Sequence, residues 1–144
     1  MSSWGAVRAT ADLDFWVVLF QDTSLEDVAQ EIKRISSVCE IRRGDSDDPV
    51  PALIDSVIEG VSVQFILAIR EWEKEFIESS IDVDIENSSV SILGLEELII
   101  LKIWAGGPQD LYDAKRLLAF NPDRERVAKR ARQIGVLEEL KKIN

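Results

Sequence analysis

Two carboxylates stand one residue apart in the segment RATADLDFWV, residues 8–17, at Asp12 and Asp14. Residues two apart on an extended strand project from the same face, about 6 to 7 Å apart along the chain, so these anions share one direction. Bare like charges in that arrangement repel. A hard divalent cation between them reverses the sign, because Mg²⁺ takes oxygen ligands and keeps waters and substrate phosphates in its remaining positions. The plain alternative is a solvated strand end with Asp12 capping a turn. D-x-D is a common tripeptide, and spacing alone leaves both readings open.

A second group with chemical potential lies in LKIWAGGPQDLYDAKRLL, residues 101–118. Lys102 is followed by Asp110 and Asp113, whose i, i+3 spacing puts them on one helical face. Lys102 also reads as a helix lysine whose stem covers apolar surface, and the two acids as first-turn carboxylates favoured by the helix dipole. The chain has no histidine and one cysteine, Cys39. That composition removes Ser-His-Asp and Cys-His mechanisms, His-based zinc sites and an intramolecular disulfide. Carboxylates, hydroxyls, lysine or a bound metal must carry any chemistry. Cys39, inside the apolar stretch SVCEI, reads as a packing residue.

These groups need elements to hold them. Residues 13–20 (LDFWVVLF) form a continuous apolar run that suits an interior strand covered on both faces, with Trp16 in the core. Ser24 and Asp27 form a capping pattern for SLEDVAQEIKRI, which presents Leu25, Val28, Ile32 and Ile35 on one face. Residues 38–42 read as a second strand and RRGDSDDPVP as a loop of turn formers. LIDSVIEG and VSVQFILAI read as a hairpin turning at Glu59 and Gly60. A helix over 70–79 and strands near 81–85 and 89–92 follow. After Gly94 the pattern is helical: LEELIILKIWAG, then PQDLYDAKRLLAF opened by Pro108, then PDRERVAKRARQIG and VLEELKKI. The expected fold is α/β (α+β), a single domain over 1–144. Residues 1–94 form a mixed β-sheet with flanking helices, and residues 95–144 a C-terminal helical cap.

The 144 residues carry a net charge of −10, which argues against indiscriminate binding to nucleic acid or anionic membrane. Residues 115–144 hold nine basic and four acidic side chains, net +5, leaving −15 for the rest. The tail residues Lys115, Arg116, Arg126, Lys129, Arg130 and Arg132 suit an RNA acceptor or nucleotide phosphates, or equally a solvated helix surface paired with nearby acids. No run of about 18 apolar residues and no secretory h-region is present, so no membrane partner is expected and a cytoplasmic location is the default.

RATADLDFWV resembles the nucleotide-binding strand of the polymerase-beta-type nucleotidyltransferase superfamily, in particular small prokaryotic members related to the abortive-infection and toxin nucleotidyltransferases. LKIWAGGPQDLYDAKRLL is similar to the late motif of the same proteins, a lysine followed by A-G, an aspartate, and a second aspartate three residues later. GDSDDPVPALI and GVSVQFILAIREWEKEF resemble the stretches between, so the likeness spans nearly the whole chain. The resemblance implies a nucleotidyltransferase-like fold in which Asp12 and Asp14 bind Mg²⁺ and the triphosphate of an NTP. It further implies that Arg8 and Thr10 lie near the phosphates, and that Lys102, Asp110 and Asp113 line the same cleft. The implied activity is transfer of a nucleoside monophosphate to a hydroxyl of a protein, an RNA or a small molecule, in a toxin–antitoxin or defence setting.

Three features depart from that pattern. Active relatives carry a Gly-Gly or Gly-Ser pair about ten residues before the first aspartate, whereas only Gly5, beside Trp4, precedes Asp12 here. Gln64 stands where a third aspartate is usual, and a neutral amide is a poorer magnesium ligand and no general base. Gly107 stands where many relatives have arginine. The competing expectation is therefore a degenerate, non-catalytic nucleotide-binding or protein-interaction module. Apolar surface left by a missing opening helix would then be hidden in a homodimer.

Overall fold

The computed structural model describes residues 12–19 and 21–144. Arg8, Thr10, Trp4, Gly5 and Phe20 lie outside the described residues. The architecture is mixed α+β, and the chain divides into two compact units, the first ending at Lys74 and the second beginning at Glu75.

The first unit contains β1 (Asp12–Val17), α1 (Leu25–Lys33), β2 (Val38–Arg43), β3 (Ala52–Ile58) and β4 (Val61–Leu67). Its sheet runs β1-β4-β3-β2, with β1 parallel to β4 and the other pairs antiparallel. The expected capping box starts α1: Ser24 Oγ accepts from Asp27 N–H at 3.1 Å, and Asp27 Oδ2 accepts from Ser24 N–H at 2.9 Å. The helix buries Leu25, Ala29 and Ile32 against Ala52 and Ile54, with Cys39, Ile41, Phe65 and Leu67 packed around them. Cys39 is a packing residue, its thiol 3.7 Å from Ala29 O. The β3–β4 hairpin turns at Glu59 (φ 49°) and Gly60 (φ 79°), both left-handed as a two-residue turn of primed type requires.

The interior strand expected over 13–20 is not what forms. Among the described residues β1 pairs only with β4 and ends at Val17, and Leu13 and Phe15 are 47% and 41% exposed. The reason is edge position: β1 has a neighbouring strand on one side only among the described residues, and both its Asp12/Asp14 face and its Leu13/Phe15 face are left open over its first half. Trp16 is half-buried and meets Trp72 edge to face, with ring centroids 6.1 Å apart.

The divide between the units falls within α2 (Glu71–Glu78). At its start Glu73 is buried. Its Oε2 accepts from the N–H groups of Ile69 (2.9 Å) and Arg70 (2.8 Å), and Arg70 Nη1 donates to Glu73 Oε1 and to Pro49 O. The second unit continues with the hairpin β5 (Ile81–Ile85) and β6 (Ser88–Ile92), then α3 (Leu95–Ala105), α4 (Pro108–Leu118), α5 (Arg124–Ile134) and α6 (Leu137–Ile143). Its core is Phe76, Ile99, Ile100, Ile103, Ala114, Leu117, Val127 and Ala131. Gly106 closes α3 in the left-handed region (φ 73°), and Gly107 precedes Pro108 at the first position of α4. Among the described residues, no helix is long and apolar enough to cross a membrane.

Candidate functional site

The sheet register places the expected residues of the first unit. Asp14 lies opposite Gln64, Gln64 opposite Asp55, and Asp55 opposite Glu40, so one row of polar side chains crosses all four strands. Alternation puts this row on the face away from α1, since Phe65, Ile54 and Ile41, one residue along, pack on the helix side. Asp12 belongs to the same face and sits opposite Ser62. The expectation that Asp12, Asp14 and Gln64 share a face therefore holds in the backbone.

Asp55 and Glu40 were not singled out by sequence reasoning, though Asp55 was accessible to it. A two-residue turn at Glu59 and Gly60 fixes the hairpin register and hence the 55–64 pairing, and an aspartate inside the apolar run LIDSVI marks the place. Gln64 Nε2 donates to Asp55 Oδ1 at 2.8 Å, and Arg42 forms an ion pair with Asp55 Oδ2. With its nitrogen so used, the group Gln64 can offer a cation is its carbonyl oxygen.

The side-chain donors on this face are oxygens, the kind a hard cation takes. Among the described residues no three carboxylate, thiol or imidazole side chains converge as a metal cage. Two exposed carboxylates and an amide oxygen could supply part of the shell of a cation such as Mg²⁺, which binds through one or two carboxylates with waters and phosphates completing it.

The second unit gathers the late-motif residues. Lys102 Nζ donates to Asp110 Oδ1 at 3.0 Å and lies 3.6 Å from Asp113 Oδ2. Asp113 is buried, and its Oδ1 accepts from Gln109 Nε2 at 3.0 Å. The turn between α3 and α4 brings the three together: Gly106 reverses the chain, and Gly107 has no Cβ to meet Asp110 Oδ2, which lies 3.0 Å from where one would be. Lys102 is mostly buried, so it is more than a lysine with its head in water.

The expected basic face is smaller than its sequence suggested. Arg126 and Arg130 turn inward onto Glu97, which is fully buried on α3. Glu97 Oε1 accepts from Arg126 Nε (3.0 Å) and Nη2 (2.8 Å) and from Arg130 Nε (2.9 Å). The hydrogen bond to Glu97 holds the Arg126 pKa above the usual arginine value. Arg130 also stacks over the Phe76 ring at 4.9 Å and donates to Ser79 Oγ. α3 is apolar on nearly every side, the pattern of a buried helix, which is why an acid on it must find cations.

No protein-family model matches the chain, and no curated protein matches it.

Proposed function

We propose that this chain is a nucleotidyltransferase-type protein that binds a nucleoside triphosphate through Mg²⁺ held by Asp12 and Asp14. The observation that carries this reading is the register: two exposed carboxylates and the Gln64 amide occupy one patch on the face of a mixed sheet away from α1. The late motif adds to it, because Lys102 joins both aspartates of that motif instead of lying loose on a helix surface.

A bound Mg²⁺ would neutralise triphosphate charge and orient the α-phosphate. Asp12 and Asp14 would supply the anionic ligands, and Gln64 a neutral one. Asp55 fixes the Gln64 amide, and Arg42 holds Asp55 in turn. Transfer of a nucleoside monophosphate to a protein, RNA or small-molecule hydroxyl needs chiefly such positioning and charge neutralisation, so the lack of histidine is no obstacle. A second reading, binding without transfer, is favoured by one feature. The Gln64–Asp55 hydrogen bond and the Arg42 ion pair occupy the nearest carboxylate that would otherwise serve as a third acid or base.

Titration calorimetry with each NTP, with and without Mg²⁺, tests the binding step. Metal-dependent binding in the wild type that is lost in Asp12→Asn/Asp14→Asn supports the site; equal binding in both, or none in either, removes it. Label transfer from α-labelled NTP then separates an enzyme from a binder.

A further inference from the structure

Subtracting Arg126 and Arg130 from the tail leaves a different and more local basic surface. α5 has three faces. Val127 and Ala131 enter the core, Arg126 and Arg130 grip Glu97, and the outer face carries Arg124, Ala128, Lys129 and Arg132. That outer face, which also carries Glu125, is open to solvent along the length of the helix. Three of the five side chains on that face are cationic in a chain whose net charge is −10. Lys129 and Arg132 have no ion-pair partner among the described residues. Arg124 is braced by Asn144 Oδ1 and Leu118 O, which fixes its guanidinium beside the end of α4.

Four residues before Arg124, Phe120 is 45% exposed in the α4–α5 turn, held there by Asn121 in the left-handed region (φ 59°). An exposed ring at the head of a row of cations suits a ligand that has both anionic groups and flat π-faces. A strand of nucleic acid has both at every residue. An acidic peptide carries charge without a π-face at every residue. From position 124 to 132 the helix rises about 12 Å, a length over which a nucleic-acid strand presents several phosphates.

We infer that the outer face of α5, with Phe120 at its head, binds single-stranded nucleic acid, Arg124, Lys129 and Arg132 facing the phosphates and Phe120 stacking on a base. The site uses none of the residues placed in the magnesium site, so it stands or falls separately from the proposed function.

Fluorescence anisotropy of labelled oligouridylate and oligothymidylate, titrated with the full chain at several salt concentrations, tests it. Both oligonucleotides bind, because phosphates and base faces are common to RNA and DNA. Lys129→Ala/Arg132→Ala weakens binding about tenfold and lowers the slope of log affinity against log salt by about 1.4, or about 0.7 for each phosphate no longer neutralised. Phe120→Ala weakens binding about tenfold at a salt concentration where the charge contribution is small. Asp12→Asn/Asp14→Asn leaves oligonucleotide binding unchanged, so loss of Mg²⁺–NTP binding with retention here removes the first reading and keeps this one. Absence of binding, an unchanged salt slope in a double variant whose circular dichroism matches the wild type, or equal displacement by polyglutamate of the same charge overturns the inference. The last result assigns the face to an acidic protein partner.

Discussion

Glu97 shows how much one side chain can decide. Its carboxylate is fully buried and satisfied on one oxygen by two guanidiniums, so truncation leaves Arg126 and Arg130 facing each other across a cavity. Removing one partner of a buried ion cluster costs about 3–5 kcal/mol; because Arg126 keeps partial access to water, Glu97→Ala belongs at the lower end, about 3 kcal/mol. Urea denaturation reads this as a shift of midpoint at constant slope. Gly94 is coupled to it. A Cβ at position 94 would lie 2.6 Å from Glu97 Oε2, although the backbone there (φ −62°, ψ 160°) would otherwise accept alanine. Gly94→Ala therefore destabilises the wild type by about 1–2 kcal/mol through overpacking, and costs almost nothing in a Glu97→Ala background. Equal costs in both backgrounds would show that the carboxylate is not what the glycine accommodates. None of this was legible beforehand. LEELI shows two acids on an apolar helix, and which one turns inward depends on where α5 lies, a tertiary fact that helical period cannot supply.

Among the elements, those with local chemical signals were the legible ones. The Ser24–Asp27 box, Pro108, the Gly106 stop and the Glu59–Gly60 turn each involve residues close in sequence, and each forms where expected. β1 was misjudged because pairing and edge position are non-local; its apolar composition read as burial, while its neighbours leave half of it open. The α1 cap carries a pH signature. Asp27 is held below its ordinary value of 3.8 by the backbone N–H of Ser24 and then by the Ser24 hydroxyl, and Glu26 below 4.5 by its own backbone N–H and by Arg43. A depressed carboxylate stabilises the fold above its unfolded pKa and loses that contribution as the pH falls through its folded pKa. Ser24→Ala removes the N-cap, a loss of about 1 kcal/mol at neutral pH, and because Asp27 is held below 3.8 by Ser24, the gap between variant and wild type should shrink as the pH drops below 3.8. Denaturation profiles at stepped pH measure it. The hairpin turn offers the opposite sign. Glu59 occupies a left-handed position that asparagine tolerates better, and Asn-Gly is the favoured pair for this turn, so Glu59→Asn should raise stability by about 0.5 kcal/mol.

At the scale of the whole molecule, charge and fold are distributed unevenly. Residues 1–114 hold −15 and the last thirty +5, so the part of the chain that carries Asp12 and Asp14 is acidic and a triphosphate there needs a cation to offset like charge. Ligand binding to the folded state alone adds RT ln(1 + [L]/Kd) to the free energy of unfolding, about 2.7 kcal/mol at a hundredfold excess over Kd. For a chain of this size each kcal/mol moves the melting temperature by a few degrees, so Mg²⁺ with the correct NTP should raise it by several degrees. Mg²⁺ alone should do much less, because two carboxylates and an amide leave most of its coordination to water. NTP with EDTA should do nothing, since the bare triphosphate meets the acidic face with like charge. Asp12→Asn/Asp14→Asn should abolish the NTP-dependent shift and leave the Glu97 and α1-cap variants responding as in the wild type, since those lie elsewhere in the fold. A shift of equal size without the metal, or one that survives the double substitution, would place the nucleotide somewhere other than the row formed by Asp14, Gln64 and Asp55, since binding there is proposed to run through the cation.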